Sequence, residues 1–246
     1  MSVGARLVDD TELPGWLRPL VGRIDGAVLT DLIPGGVPPA PSAARRASVL
    51  ILLGDGPDGP DVLLTGRAGT LRSHAGQPAF PGGGRDPGED AVATAVREAE
   101  EETGLDPSSV RPVATMPDLY LGASSYLVTP VVAHWHTPGP VRAVDPAETA
   151  VVARVPLSVL ADPAHRGRVR HSSGYVGPAF DVAGLIVWGF TGGLVDAVLR
   201  AGGWHRPWDR GRFLELPPLG RALPDPEAGH LAEADGVAGP DRTAAG

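Results

Sequence analysis

The stretch of sequence that decides the fold is GGRDPGEDAVATAVREAEEETGL, residues 83–105. Within it, apolar side chains recur at the three- and four-residue spacing of a helix that packs one face on a core: Val92, Ala95, Val96 and Ala99. A glycine at position 104 stands where glycine commonly ends a helix. The pattern therefore predicts a helix from about Glu89 to Thr103, preceded by a glycine-rich loop at Gly82–Asp86.

Three carboxylates occupy one edge of this predicted helix, because Glu98, Glu101 and Glu102 follow the same helical spacing. Like charges on one turn repel each other, at a cost of a few tenths of a kcal/mol per exposed pair. A hard divalent cation such as Mg²⁺ or Mn²⁺ compensates such a cluster, since both ions prefer oxygen ligands. The alternative is an ordinary solvated acidic face, which is common in soluble proteins.

The sequence around the helix favours a metal site over a solvated acidic face. Gly83–Leu105 resembles the Nudix box, G-x5-E-x7-R-E-U-x-E-E-x-G-U with U apolar, and every specified position is met. The matching residues are Gly83, Glu89, Arg97, Glu98, Ala99, Glu101, Glu102, Gly104 and Leu105. The resemblance implies an α/β fold, the Nudix α/β/α sandwich with a mixed central sheet and a catalytic loop-helix-loop. It also implies hydrolysis of a nucleoside diphosphate linked to another group.

The same resemblance implies roles for individual residues. The divalent metals, Mg²⁺ or Mn²⁺, would be bound by Glu98, Glu101 and Glu102, joined by the backbone carbonyl of Gly83 or a neighbour. Glu89 and Arg97 are expected to pair and hold the loop against the helix, and Gly104 to end the helix. The catalytic base is left open between these glutamates and Glu148, which precedes an apolar strand; the alternative for Glu148 is a turn or capping carboxylate.

The segment before the box carries information on the substrate. Residues 63–83, LLTGRAGTLRSHAGQPAFPGG, resemble the coenzyme A pyrophosphatase signature L-L-T-x-R-[SA]-x3-R-x3-G-x3-F-P-G-G without a departure. This resemblance implies cleavage of coenzyme A or a derivative into adenosine 3′,5′-bisphosphate and 4′-phosphopantetheine. The substrate-binding candidates are Arg67, Arg72, His74, Gly82 and Gly83. Instead of binding substrate, the arginines could connect the loop to the carboxylate cluster. His74 could be a hydrogen-bonded loop residue without a role in binding.

Composition excludes several other chemistries. The chain of 246 residues has no cysteine and no lysine, which rules out thiolate metal sites, cysteine nucleophiles and Schiff-base catalysis. A net charge of −8 argues against nonspecific nucleic-acid binding. The resemblance implies a small nucleotide as the partner. The sequence has neither a membrane-length apolar run nor a signal-peptide pattern, and a cytoplasmic location without membrane attachment is expected.

Glycine and proline divide the chain into three parts. Residues 1–44 are predicted as a helical extension with a Pro/Gly-rich linker, 45–216 as the Nudix hydrolase domain, and 217–246 as a disordered tail. Homodimers are common in the superfamily, so a homodimer is the favoured assembly. Two other functions stay open: a Nudix pyrophosphatase acting on NADH, ADP-ribose, a dinucleoside polyphosphate or an oxidised dNTP, and a catalytically silent ligand sensor.

Overall fold

The computed structural model describes residues 2–33, 40–67, 77–122, 124–172 and 174–216. Two substrate-binding candidates, Arg72 and His74, lie outside the described residues. So do most of the predicted linker and the whole of the predicted tail at 217–246.

Runs of consecutive strands are separated by helices along the chain. The helices in the described part of the chain are α1 (Arg18–Ile24), α2 (Leu29–Leu32), α3 (Ala91–Thr103), α4 (Leu157–Ala161) and α5 (Gly189–Ala201). The strands there are β1 (Ala5–Arg6), β2 (Arg45–Gly56), β3 (Gly59–Arg67), β4 (Pro78–Ala79), β5 (Gly82–Gly84), β6 (Val110–Thr115), β7 (Leu119–Leu121), β8 (Tyr126–Trp135), β9 (Thr149–Pro156), β10 (Arg166–Arg170), β11 (Val176–Val182) and β12 (Leu185–Val187).

A mixed central sheet organises the molecule. Strand β2 runs parallel to β8 and antiparallel to β3 and β5, while β6 and β7 pair with β8 and β9 pairs with β3. The run Leu50–Leu53 is fully buried because both faces of this sheet are covered. The predicted α/β class with a mixed sheet is therefore confirmed.

Helix α3 covers one face of the sheet. Its small side chains Ala95 and Ala99 pack against Leu50, Leu52 and Leu63, so the helix backbone lies close to the strands. The carboxylates on the opposite edge of the helix are consequently held at a fixed distance from the sheet. This packing positions the candidate site.

The other face is covered by α1, α2, α5 and a second, three-stranded sheet formed by β10–β12. Leu17, Leu20 and Ile24 of the N-terminal segment are completely buried in the same core as Leu194 and Leu199 of α5. The short helices predicted for this segment are present, and β1 adds a strand beside β6. No helix in the described residues combines the length and hydropathy that crossing a membrane requires.

One local prediction is wrong. Gly82–Gly84 is strand β5 rather than loop, because residues without side chains lie flat against β2, where Gly83 pairs with Ser48. The predicted helix is present as α3 and starts two residues later than expected, at Ala91: the Asp90 carboxylate accepts a hydrogen bond of 2.8 Å from Ala93 N and caps the helix.

Candidate metal and substrate site

Both ends of α3 are fixed by local chemistry. Asp90 caps its start, and Gly104 ends it in the left-handed conformation, with φ 65°. Between them, the acidic edge of the helix faces the three glycines of β5. The glycine strand and the carboxylate edge together form the candidate site.

Arg97 donates several of the hydrogen bonds that connect the site. Its Nε and Nη2 donate to the two carboxylate oxygens of Glu89, at 2.8 and 3.1 Å, which is the expected pair in a forked geometry. Nη2 also donates to the Gly84 carbonyl at 3.1 Å. Nη1 donates to Glu98 and Glu101, at 3.1 and 3.0 Å. One guanidinium thus links the loop before α3, the end of β5 and two of the three carboxylates.

Glu89 is held by more than Arg97. It also accepts hydrogen bonds from the Thr94 hydroxyl at 2.9 Å and from Asp86 N at 3.2 Å. The hydrogen bond from Arg97 is the largest cause that lowers the pKa of Glu89 to about 2. The buried Thr94 is a positioning residue that the sequence analysis missed, although its place three residues before Arg97 puts both on one helix face.

The carboxyl group of Glu98 lies directly against Gly83. A methyl group at Gly83 would collide with all the atoms of that carboxyl, so the glycine is needed for this close approach. Burial raises the pKa of Glu98, and the charges of Glu101 and Asp86 raise it further, while Arg97 opposes them. An ionised Glu98 is therefore short of compensating positive charge.

Glu102 is the most deeply placed carboxylate of the three. Its Oε2 accepts a hydrogen bond of 3.2 Å from Gly82 N. Burial raises its pKa to about 7, and the charges of Glu98 and Glu148 add to this, against the Gly82 N–H and Arg67. The structure thereby brings Glu98, Glu102, Glu148 and Arg67 into one electrostatic neighbourhood.

Arg67 and Glu148 enter the site from neighbouring strands. Arg67 ends β3 and pairs with Thr149, the first residue of β9, so Glu148 stands beside it at the same edge. The Arg67 Nε is buried and has no hydrogen-bond partner among the described residues. Glu148 is exposed, and its charge acts on Glu102. Both side chains are available to a bound molecule.

Comparison with known proteins identifies the family. The family model described as NUDIX domain matches residues 44–174, more than half of the chain. A Photorhabdus laumondii protein named uncharacterized Nudix hydrolase NudL is 43% identical over 127 residues, which is 50% of this chain and 66% of that protein. A protein of the same name from Escherichia coli K12 is 39% identical over 158 residues, covering 61% of this chain and 79% of its own length. The chain belongs to the Nudix family.

A solved Nudix hydrolase, RenU from Mycobacterium smegmatis, is 22% identical to this chain. The match covers 68% of this chain and 91% of RenU, with a TM-score of 0.47.

Nudix hydrolases generally use Mg²⁺ or Mn²⁺, and the donor set here suits such an ion. Glu98 and Glu102 both contact β5, and burial, together with the charges of neighbouring carboxylates, raises the pKa of each. A cation bound there would neutralise this negative charge. In the described part of the chain, however, no three acidic or histidine side chains converge on one point. Glu98 and Glu101 both accept hydrogen bonds from Arg97 Nη1.

The raised pKa of Glu102 predicts how the metal-free Nudix domain responds to pH. A carboxyl group whose folded pKa of about 7 lies above its unfolded value near 4.5 stabilises the fold below pH 4.5. That stability is lost as the pH rises through 7, and amounts to about 3 kcal/mol. In EDTA, the melting temperature of the wild type should fall between pH 5 and pH 8 by more than that of Glu102→Gln. Thermal unfolding at both pH values measures this, with Glu100→Gln, an exposed carboxylate on the same helix, as control. Equal falls in all three proteins would contradict the prediction.

Proposed function

We propose that this Nudix hydrolase cleaves the pyrophosphate bond of coenzyme A or a derivative, with Mg²⁺ or Mn²⁺, giving adenosine 3′,5′-bisphosphate and 4′-phosphopantetheine. The observation that carries the substrate is the complete coenzyme A pyrophosphatase signature over residues 63–83. The described ends of that segment, at Arg67 and Gly82–Gly83, both border the carboxylates of α3. The signature and the acidic helix edge thus supply parts of one site.

The metals would be held by Glu98, Glu101 and Glu102, with the Gly83 carbonyl as a further oxygen ligand. Bound there, a divalent ion stabilises charge on phosphoryl oxygens and lowers the pKa of water. Arg97 and Glu89 hold the helix edge against β5 through the hydrogen bonds described above. Gly82 and Gly83, the other described substrate-binding candidates, would act through their backbones, because β2 and Glu98 fill the space where their side chains would be.

The chain's own residues supply binding and proton transfer. The Arg67 Nε has no hydrogen-bond partner among the described residues, and the guanidinium would bind a phosphate oxygen of the substrate. In the hydrolysis, the water oxygen bonds to phosphorus, the bridging P–O bond breaks, and the bridging oxygen leaves with the other phosphate. Glu148 would accept the proton of the water, because its exposed carboxylate neighbours Glu102 at the mouth of the site. Glu102 and the other two helix carboxylates are the alternative bases.

The substrate assignment is tested by comparing kcat/KM for coenzyme A, NADH, ADP-ribose and 8-oxo-dGTP with each metal. Coenzyme A should give the highest value. A higher value for another nucleotide would keep the metal-dependent hydrolysis and replace the substrate. No turnover of any of the four would favour a ligand sensor.

Arg67→Ala should raise KM for coenzyme A about 10- to 150-fold, the loss expected when a hydrogen bond to a charged group is removed. Its melting temperature should change little, because the Arg67 Nε has no hydrogen-bond partner among the described residues. Steady-state kinetics and thermal unfolding are compared with Arg23→Ala, an exposed arginine on α1. A fall in melting temperature with unchanged KM would make Arg67 a structural residue.

A further inference from the structure

Three aromatic rings form a wall where the turn between β10 and β11 meets the start of α5. His171 and Tyr175 flank the turn between β10 and β11, and Trp188 immediately precedes α5. The Trp188 ring lies 5.2 Å from that of His171 and 6.0 Å from that of Tyr175, between ring centroids. All three residues are half-buried.

The wall differs from the aromatic residues of the core. Phe190 and Trp204 pack against the large hydrophobic core, whereas within the described residues Trp188 does not belong to either core cluster. In the part of the chain that the structure describes, the ring contacts of Trp188 are with His171 and Tyr175. Large amphipathic rings of this kind are typical of binding surfaces.

Hydrogen bonds hold the wall in place. The Tyr175 hydroxyl donates to the Gly189 carbonyl at 3.3 Å, and His171 N donates to the Tyr175 carbonyl at 2.9 Å. Gly189 has φ 64°, a left-handed conformation that glycine adopts without strain and that turns the chain directly after Trp188. The rings are therefore preorganised, so little conformational entropy would be lost on binding a planar group.

The wall is joined to the hydrolytic site through β4. The Thr191 hydroxyl, three residues after Trp188, donates to the Pro78 carbonyl at 3.0 Å. Pro78 pairs with Gly66, and its neighbour Gln77 accepts a 3.1 Å hydrogen bond from Arg67 N. From Pro78 the chain reaches Gly82, the partner of Glu102, within four residues, a path of at most about 14 Å.

We propose that His171, Tyr175 and Trp188 bind the nucleobase of the substrate by stacking while its pyrophosphate lies between Arg67 and the α3 carboxylates. This inference rests on the proposed function for the identity of the substrate, but it requires only that the ligand be a nucleotide. Every base presents a flat π-face, so stacking gives affinity for the nucleoside half of the substrate. The other half, 4′-phosphopantetheine, has no base and gains nothing from the wall.

The experiment measures binding of the two expected product halves by calorimetry. Trp188→Leu should weaken the binding of adenosine 3′,5′-bisphosphate about 5- to 150-fold, the range expected for losing one base–aromatic stack. Binding of 4′-phosphopantetheine should be unchanged. Trp188→Phe, which keeps a ring, should retain most of the affinity. Tyr175→Phe keeps the ring and removes the hydroxyl, so it distinguishes the contribution of the ring from that of the hydroxyl. Phe213→Leu is the matched control, because Phe213 is an exposed ring that stacks on Arg168 and Arg170 instead.

The outcomes separate this inference from the proposed function. Hydrolysis of coenzyme A with unchanged bisphosphate binding in Trp188→Leu would overturn the stacking wall and leave the function standing. Equal losses for both product halves would also overturn it and make the wall structural. If coenzyme A is not hydrolysed, AMP becomes the probe: weaker AMP binding by Trp188→Leu supports the wall for another nucleotide substrate, and unchanged AMP binding rejects it.

Discussion

Glu102→Gln should lower kcat for coenzyme A about 100- to 1,000-fold, which corresponds to roughly 3–4 kcal/mol of transition-state stabilisation by a metal site. The amide keeps the size of the side chain but removes a charged oxygen ligand. Glu101→Gln should have an effect in the same direction. In the absence of metal, Glu102→Gln should not be less stable than the wild type near pH 8, because it removes the carboxylate that burial disfavours most. Glu101→Gln loses a repelling charge but also its ion pair with Arg97.

The matched control for these variants is Glu100→Gln, which makes the same charge change on an exposed position of α3. It should retain wild-type kcat. Initial rates with saturating Mg²⁺, together with melting temperatures, distinguish loss of the metal site from loss of the fold. Unchanged kcat in both Glu101→Gln and Glu102→Gln would contradict the assignment of the metal ligands.

The three glycines of β5 should respond to alanine in three different ways. At Gly82 the new methyl group would lie 2.7 Å from Val49 Cα and closer still to the Ser48 carbonyl, and neither backbone atom can move without breaking the pairing of β2. We expect Gly82→Ala to destabilise the fold by about 3 kcal/mol. At Gly83 the methyl group meets only the flexible end of Glu98, so the fold should survive while displacement of the carboxylate lowers kcat about 100-fold.

Gly84→Ala is the control on the same strand, because a methyl group there meets only the Tyr126 hydroxyl, at 3.8 Å. Its melting temperature should stay close to that of the wild type. Denaturant unfolding and kcat for the three variants measure the two effects separately. A stable Gly82→Ala, or a fully active Gly83→Ala, would be inconsistent with the close approaches described here.

The sequence was most informative where spacing alone determines geometry. The three- and four-residue pattern predicted α3, its buried face and its acidic edge, because residues three or four apart lie on the same face of a helix. The Nudix resemblance predicted the α/β class with a mixed sheet, which is confirmed, and it selected Glu89 as the partner of Arg97. The metal and substrate roles of the site residues stay predictions.

Tertiary contacts decided what the sequence did not. A run of three glycines has the composition of a loop, and only its place beside β2 makes Gly82–Gly84 a strand. The orientation of Glu101 toward Arg97 depends on a competition among carboxylates that spacing does not resolve. His171, Tyr175 and Trp188 come from two separate turns, and no local pattern indicates that their rings meet.

Metal-dependent hydrolysis of coenzyme A can be measured by incubating the protein with coenzyme A, with and without Mg²⁺, and identifying the products by mass spectrometry. We expect adenosine 3′,5′-bisphosphate and 4′-phosphopantetheine in equal amounts, formed only when the metal is present. Absence of both products with Mg²⁺ or Mn²⁺, or their formation at the same rate in EDTA, would contradict it.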